Sequence, residues 1–246
     1  MTESSRRRFL TSAVLGGAAV GGAVLLPASS ASAAQVPAGQ RQLRVVNNSS
    51  RFFDLCVYQY PVDVGVGGAL SLAWLTEPAW PRSTVTFSWR ETYDFVWGDA
   101  GDVVPGAAFQ AGQVWPADLN DPALQQVRLD YDRDAFTFVR HTVTTQPRPG
   151  SLYIQESGSI PVAGGGTVGI GMSGAGTLVV PTRPNLDLVF TPHPAYHVAA
   201  GTFATGQILE PSEITSSAQI VFPPDVTSMV ATIGPDERWS VAPESV

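Results

Sequence analysis

From Leu43 onward the chain is a succession of short apolar or alternating runs, broken by Gly, Pro, Asn and Asp. Thr84-Val85-Thr86-Phe87-Ser88-Trp89 alternates most cleanly. Val85, Phe87 and Trp89 face one way and the hydroxyl side chains the other, the pattern of a strand with one buried face. Comparable runs at Leu43–Asn47, Phe53–Tyr60, Ser71–Leu75, Tyr93–Trp97, Val127–Tyr131 and Ala135–Thr144 predict strands. The pattern continues at Leu152–Gln155, Val168–Met172, Thr177–Val180, Leu186–Phe190, His197–Phe203, Ala218–Phe222, Met229–Ile233 and Trp239–Val241. These segments favour β-branched and aromatic residues. With 24 Gly and 20 Pro, few windows are long enough for a helix. Ala117–Gln126, with Asp118 and Asp121 as caps, predicts one short helical turn. The expected class is all-β, an antiparallel β-sandwich.

Two stretches echo each other. Tyr93-Asp94-Phe95-Val96-Trp97 resembles Leu186-Asp187-Leu188-Val189-Phe190, and Phe109–Val114 resembles Phe203–Ile208 in the same order. Each half also ends in a hairpin with acids at its turn, Asp132-Arg133-Asp134 and Asp236-Glu237-Arg238. A repeat of about 95 residues is one sandwich unit in size. Two related sandwich-like halves packed together are therefore expected, at 42–146 and 150–246. The proline-stiffened Gln146-Pro147-Arg148-Pro149-Gly150 forms the junction between them.

Before the first strand lies a different kind of sequence. Ser5-Arg6-Arg7-Arg8-Phe9-Leu10, a glycine- and alanine-rich apolar stretch to Leu26, and Ala31-Ser32-Ala33 make a twin-arginine signal peptide over 1–33, marked by Arg6 and Arg7. Residues 34–41 form a loose leader. The apolar stretch is shorter than the ~20 residues of a membrane span, so the mature protein is expected to hold no integral membrane segment. Export through the twin-arginine machinery, to the cell envelope or medium, is the expected localisation. The formal charge is −7, every basic residue is Arg, and three of the fourteen sit in the signal peptide. A mature domain this acidic argues against nucleic acid as a partner, because phosphate binding needs a basic surface. Cys56 is the only cysteine, so no internal disulfide forms, and its apolar surroundings read as core.

The motifs that carry chemistry are thin. Gly169-Ile170-Gly171-Met172-Ser173-Gly174 fits G-x-G-x-x-G, but a strand-like run follows where a dinucleotide site needs a helix. Ala175 also breaks G-x-S-x-G, and no cofactor is expected. Asp130–Asp134 lacks the Gly and Glu of a calcium loop. His193 and His197 are the candidate metal ligands, in Pro192-His193-Pro194-Ala195-Tyr196-His197. Trp80, Trp97, Tyr60 and Tyr196 are the candidate binding residues. Trp80, between Pro78 and Pro81, is expected on the surface.

Several phrases together carry a family resemblance. They are Val46-Asn47-Asn48-Ser49-Ser50, Cys56-Val57-Tyr58-Gln59, Ser71-Leu72-Ala73-Trp74, Val85–Trp89, Tyr93–Trp97, Pro105-Gly106, Gly169–Gly174 and Phe190–Tyr196. In this order they resemble the RhiA family of rhizosphere-expressed, quorum-sensing-controlled bacterial proteins. The resemblance implies an environment-facing role and supplies no activity, cofactor or catalytic residue. The expected function is a non-catalytic binding or surface-interaction module, with a carbohydrate or an envelope partner. The alternative is a secreted carbohydrate-active or other hydrolase using a carboxylate pair.

Overall fold

The computed structural model describes residues 39–61, 63–99, 103–163 and 165–245. The signal peptide expected at 1–33, with Arg6 and Arg7, lies outside them. The chain runs through β1 (Gln40–Asn47), β2 (Phe53–Gln59), β3 (Leu70–Leu72), β4 (Leu75–Ala79), β5 (Thr84–Arg90), β6 (Tyr93–Gly98), β7 (Ala111–Ala117), β8 (Gln126–Asp132) and β9 (Ala135–Arg140). It continues through β10 (Leu152–Glu156), β11 (Thr167–Met172), β12 (Ala175–Pro181), β13 (Leu186–Phe190), β14 (Tyr196–Gly201), β15 (Ile208–Leu209), β16 (Ser217–Ile220), β17 (Ser228–Ile233) and β18 (Trp239–Pro243). One 3-10 turn, Pro211–Glu213, precedes β16. The protein is all-β. Gln40 and Arg41, expected in the loose leader, already belong to β1. Within the stretch Ala117–Gln126 a single turn closes and goes no further: Asp121 Oδ1 accepts from Ala123 N (2.9 Å), as a capping side chain does, and the Asp121 carbonyl accepts from Leu124 N and Gln125 N (both 2.9 Å).

Four sheets form. Sheet I has the order β18-β17-β1-β5, sheet II β16-β14-β2-β4, sheet III β15-β3-β12-β11-β6-β7, and sheet IV β13-β10-β8-β9. Sheets I and II enclose one core, containing Leu43, Val45, Leu55, Val57, Trp74, Trp89, Tyr196 and Val198. Sheets III and IV enclose a second, containing Phe95, Leu129, Phe138, Ile154, Ile170 and Phe190. Sheets II and III are also covered on their other faces, where Cys56, Tyr58 and Ala199 meet Leu209, and Val96 and Val179 meet Phe109 and Ile208. That double burial explains why β11, β12 and the Leu55–Tyr58 stretch of β2 read as runs of apolar or small residues, while β5 alternates.

The two sandwiches share one topology. In sheet I the parallel pair β1 and β17 is flanked by antiparallel β5 and β18. In sheet IV the parallel pair β10 and β8 is flanked by antiparallel β13 and β9. Sheet II, β16-β14-β2-β4, corresponds strand for strand to β7-β6-β11-β12 of sheet III, every pair antiparallel. The chain thus repeats its strands, β1–β9 against β10–β18, with β3 and β15 as additions to sheet III. The equivalent segments are not the ones the sequence suggested. Tyr93–Gly98 corresponds to Tyr196–Gly201, both central strands, whereas Leu186–Phe190 is an outer strand.

The division into a sandwich at 42–146 and another at 150–246 needs correction. Each sandwich takes half its strands from each half of the chain. The first holds β1, β2, β4 and β5 with β14, β16, β17 and β18; the second holds β6–β13, with β3 and β15 added at the edge of sheet III. Apart from the short excursions that place β3 and β15 on sheet III, the chain crosses between sandwiches just after β5 and just after β13, and the described residues form one compact unit. Residues 146–150 are a loop inside the second sandwich, tied down where Gln125 Nε2 donates to Arg148 O (3.1 Å) and Arg148 N donates to Tyr153 Oη (2.9 Å).

The Gly169–Gly174 motif serves the first crossing. Ser173 (φ 56°) and Gly174 (φ 83°) make a two-residue hairpin turn. Gly169 and Gly171 let the backbone of β12 approach closer than any Cβ permits. The turn then docks on the crossing strand: Gly174 N donates to Asp94 Oδ2 (2.7 Å), Ser173 N to Thr92 O (2.9 Å), and Arg90 N to Ser173 Oγ (3.1 Å). The second crossing is held by the β2–β3 loop, through Thr191 N to Val64 O (2.8 Å) and Tyr60 N to Ala195 O (3.0 Å).

Candidate aromatic contact surface

Asn47 ends β1 and is fully buried. Its Nδ2 donates to Arg51 O (2.8 Å) and Ala79 O (3.0 Å), while Oδ1 accepts from Ser49 N (3.1 Å) and Ser49 Oγ (2.7 Å). Its carbonyl accepts from Arg82 N (2.7 Å). One side chain therefore pins two turns, 48–52 and 79–83, at one end of the first sandwich. A buried amide with all these partners is a rigid strut. Arg82 turns the chain in the left-handed region, φ 63°.

What the strut presents is an exposed aromatic pair. Trp80 is 66% exposed and Phe52 43%, with ring centroids 4.7 Å apart and planes tilted by 56°. Arg51, next to Phe52 in the chain, holds its guanidinium 5.4 Å from the Phe53 ring and pairs with Glu237 at 3.1 Å. With its ring held outward, Trp80 can stack on a flat apolar surface such as the face of a sugar ring, while the tilted Phe52 ring meets that surface at its edge. Sequence reasoning found Trp80 and missed Phe52. A signal existed: Phe52 and Phe53 are adjacent, successive side chains in extended chain point to opposite faces, and Phe53 is buried.

The structure does not bring the other candidates to this surface. Tyr196 is buried in the first core against Trp74, Trp89 and Phe222, its hydroxyl donating to Glu91 Oε1 (3.1 Å). Trp97 packs on Phe136 and donates through Nε1 to Gln113 Oε1 (2.9 Å). Tyr196 is a packing residue whose ring faces are covered, while Trp97 is half-buried with Phe136 packed against its ring. Tyr60 is 37% exposed, but on sheet II, where it and Tyr58 flank His197 at 5.6 and 5.3 Å. Burial lowers the proton affinity of His197 and favours the neutral ring. His193 lies exposed in the preceding turn. Among the described residues no group of three His, Cys, Asp or Glu side chains is arranged to hold a metal ion.

Cys56 and Glu156 are among the ionisable groups closed off from solvent. Cys56 is fully buried, and burial pushes its thiol well above its usual range. In the native protein it is expected to resist iodoacetamide, and to take up one equivalent once urea opens the sandwich. Partial labelling under native conditions contradicts this. Glu156, at the end of β10, is 1% exposed. Its Oε1 accepts from Arg183 N (2.9 Å), while Oε2 has no partner among the described residues. Burial raises its pKa to about 7. It is not a solvent-facing acid of a hydrolytic pair.

Comparison with known proteins gives two findings. A family model described as RhiA matches residues 38–244. Protein RhiA of Rhizobium leguminosarum bv. viciae is 34% identical over 215 residues, covering 86% of this chain and 90% of that protein. No solved structure matches.

Proposed function

The chain belongs to the RhiA family, and from that premise we propose that it is an exported, non-catalytic binding module whose contact surface is the Phe52–Trp80 pair. The observation that carries the reading is the exposure of Trp80, a side chain held in water by a polar strut rather than folded into the adjacent core. A large exposed ring on a rigid turn loses little conformational freedom when it meets a ligand. The Arg6-Arg7 signal peptide supports delivery of the folded protein beyond the cytoplasmic membrane. Outside the cell, the ligand class suited to tilted aromatic rings is carbohydrate, as free glycan or as an envelope polysaccharide.

Trp80→Ala removes no core contact, so its stability should stay within ~0.5 kcal/mol of the parent. Binding to the glycans the parent retains on an array should fall about tenfold, the scale of a lost stacking contact. Phe52→Ala should act in the same direction. A parent that retains no glycan or envelope polysaccharide, or binding that survives both substitutions, overturns the reading.

A further inference from the structure

The second sandwich leaves one of its sheet edges open beside a cleft, and we propose that this edge takes an extended peptide segment as an added strand. β13 is the outermost strand of sheet IV. Tyr153 N donates to Gln125 O and Ser157 N to Leu129 O, so the odd-numbered positions of β10 turn their main chain toward β8. The even-numbered positions, Leu152, Ile154 and Glu156, therefore bond β13 through Phe190, Leu188 and Leu186. By strand alternation the main chains of Asp187 and Val189 point away from the sheet.

The chain itself begins to fill that edge and then leaves it. Thr191 N donates to Val64 O at 2.8 Å, and Gly65 lies against the Val189 carbonyl where no Cβ fits. The loop then turns off through Gly67 and Gly68, whose Cβ positions face open space. Beyond the turn lies a cleft of about 370 Å³ lined by residues 65–68, Val180, Pro181, Arg183 and Leu186–Val189. Among the described residues no hydrogen bond reaches the main-chain N–H groups of Asp187 and Val189 or the Asp187 carbonyl.

The chemistry selects the occupant. An edge of alternating N–H and C=O groups is matched by another extended main chain. Leu186, 38% exposed at the mouth, with Val180 and Pro181, offers an apolar seat for one side chain of that strand. Arg183 at the rim suits an acidic neighbour along the same peptide. This site is separate from the aromatic pair on the first sandwich, and the binding reading above stands or falls without it.

The test is selection of a random heptapeptide display library on the full mature protein, with Val189→Pro as the counter-target. Proline there removes one outward N–H and no sheet bond, and edge strands tolerate it. A thermal melt shows whether that variant folds. Gly67→Tyr, which fills the cleft with a side chain where space is open, is the second variant. Selected peptides should be enriched in acidic and aliphatic positions and bind both variants at least tenfold more weakly than the parent. N-methylating their edge-facing amides should abolish binding. No enrichment over the counter-target overturns the proposal. So does a concentration-dependent dimer broken by Val189→Pro, which would assign the edge to a second copy of the chain.

Discussion

Produced as separate chains, residues 39–148 and 149–245 are expected to stay unfolded alone and to regain sheet structure when mixed. Each half carries four strands of the first sandwich and five of the second. Alone, it would leave one face of both cores bare: Leu43 and Val45 of β1 without Ala231 and Ile233 of β17, and Phe95 of β6 without Ile170 of β11. Net stabilities of domains are only ~5–15 kcal/mol, and no half-core of this kind supplies them. The central parallel pairs make the dependence strict, since β1 pairs with β17 and β10 with β8. Residues 92–192 form the contrasting fragment. They contain all of sheet IV and four strands of sheet III in one continuous stretch. That fragment should fold by itself, though weakened where Leu72 and Ile208 no longer cover Val96 and Val179. Circular dichroism and thermal melts of the three fragments decide the matter. A cooperative melt from either half alone would sink the exchanged architecture.

Glu156→Gln is expected to remove a large alkaline weakness. Glu156 shares the core-facing side of β10 with Leu152 and Ile154. Desolvation outweighs the help from Arg183 N and raises the folded-state pKa from 4.5 to about 7. Between those values the folded protein keeps a proton that the unfolded chain releases. Stability therefore falls as pH rises through that window, by ~3 kcal/mol once the carboxyl is fully ionised. Gln keeps an acceptor for Arg183 N and does not titrate. Urea midpoints of parent and variant, compared from pH 5 to 8, should diverge steadily toward the alkaline end. Parallel profiles would show that the carboxyl is not held neutral in the fold.

How much of this was legible depends on how many faces of a strand are buried. β5 and β17 lie in a sheet with one solvent face, so alternation marked them directly. β11 and β12 are buried on both faces, and their glycine-rich run first resembles a nucleotide loop. It is a tight hairpin whose glycines admit a neighbouring backbone. The hairpin turns at Asp132-Arg133-Asp134 and Asp236-Glu237-Arg238 were readable from their acids, and they close equivalent hairpins, β8–β9 and β17–β18. Among the contact residues, Trp80 was readable because two flanking prolines keep it out of a strand interior. Trp97 and Tyr196 were not, since an aromatic in a strand looks alike whether its ring meets solvent or a second sheet.

The sequence by itself determined the class of the fold, most of its strands and the position of one outward tryptophan, because period-two polarity and breaker residues act within a few positions of each other. Which strand pairs with which was decided only in three dimensions. β1 finds β17 and β6 finds β11 across more than half a sandwich of intervening chain, and nothing local to any strand names its partner. The buried Asn47 that lifts Trp80 and Phe52 into water, and the lone carboxyl of Glu156, likewise acquire their roles from neighbours that only the closed sheets bring near.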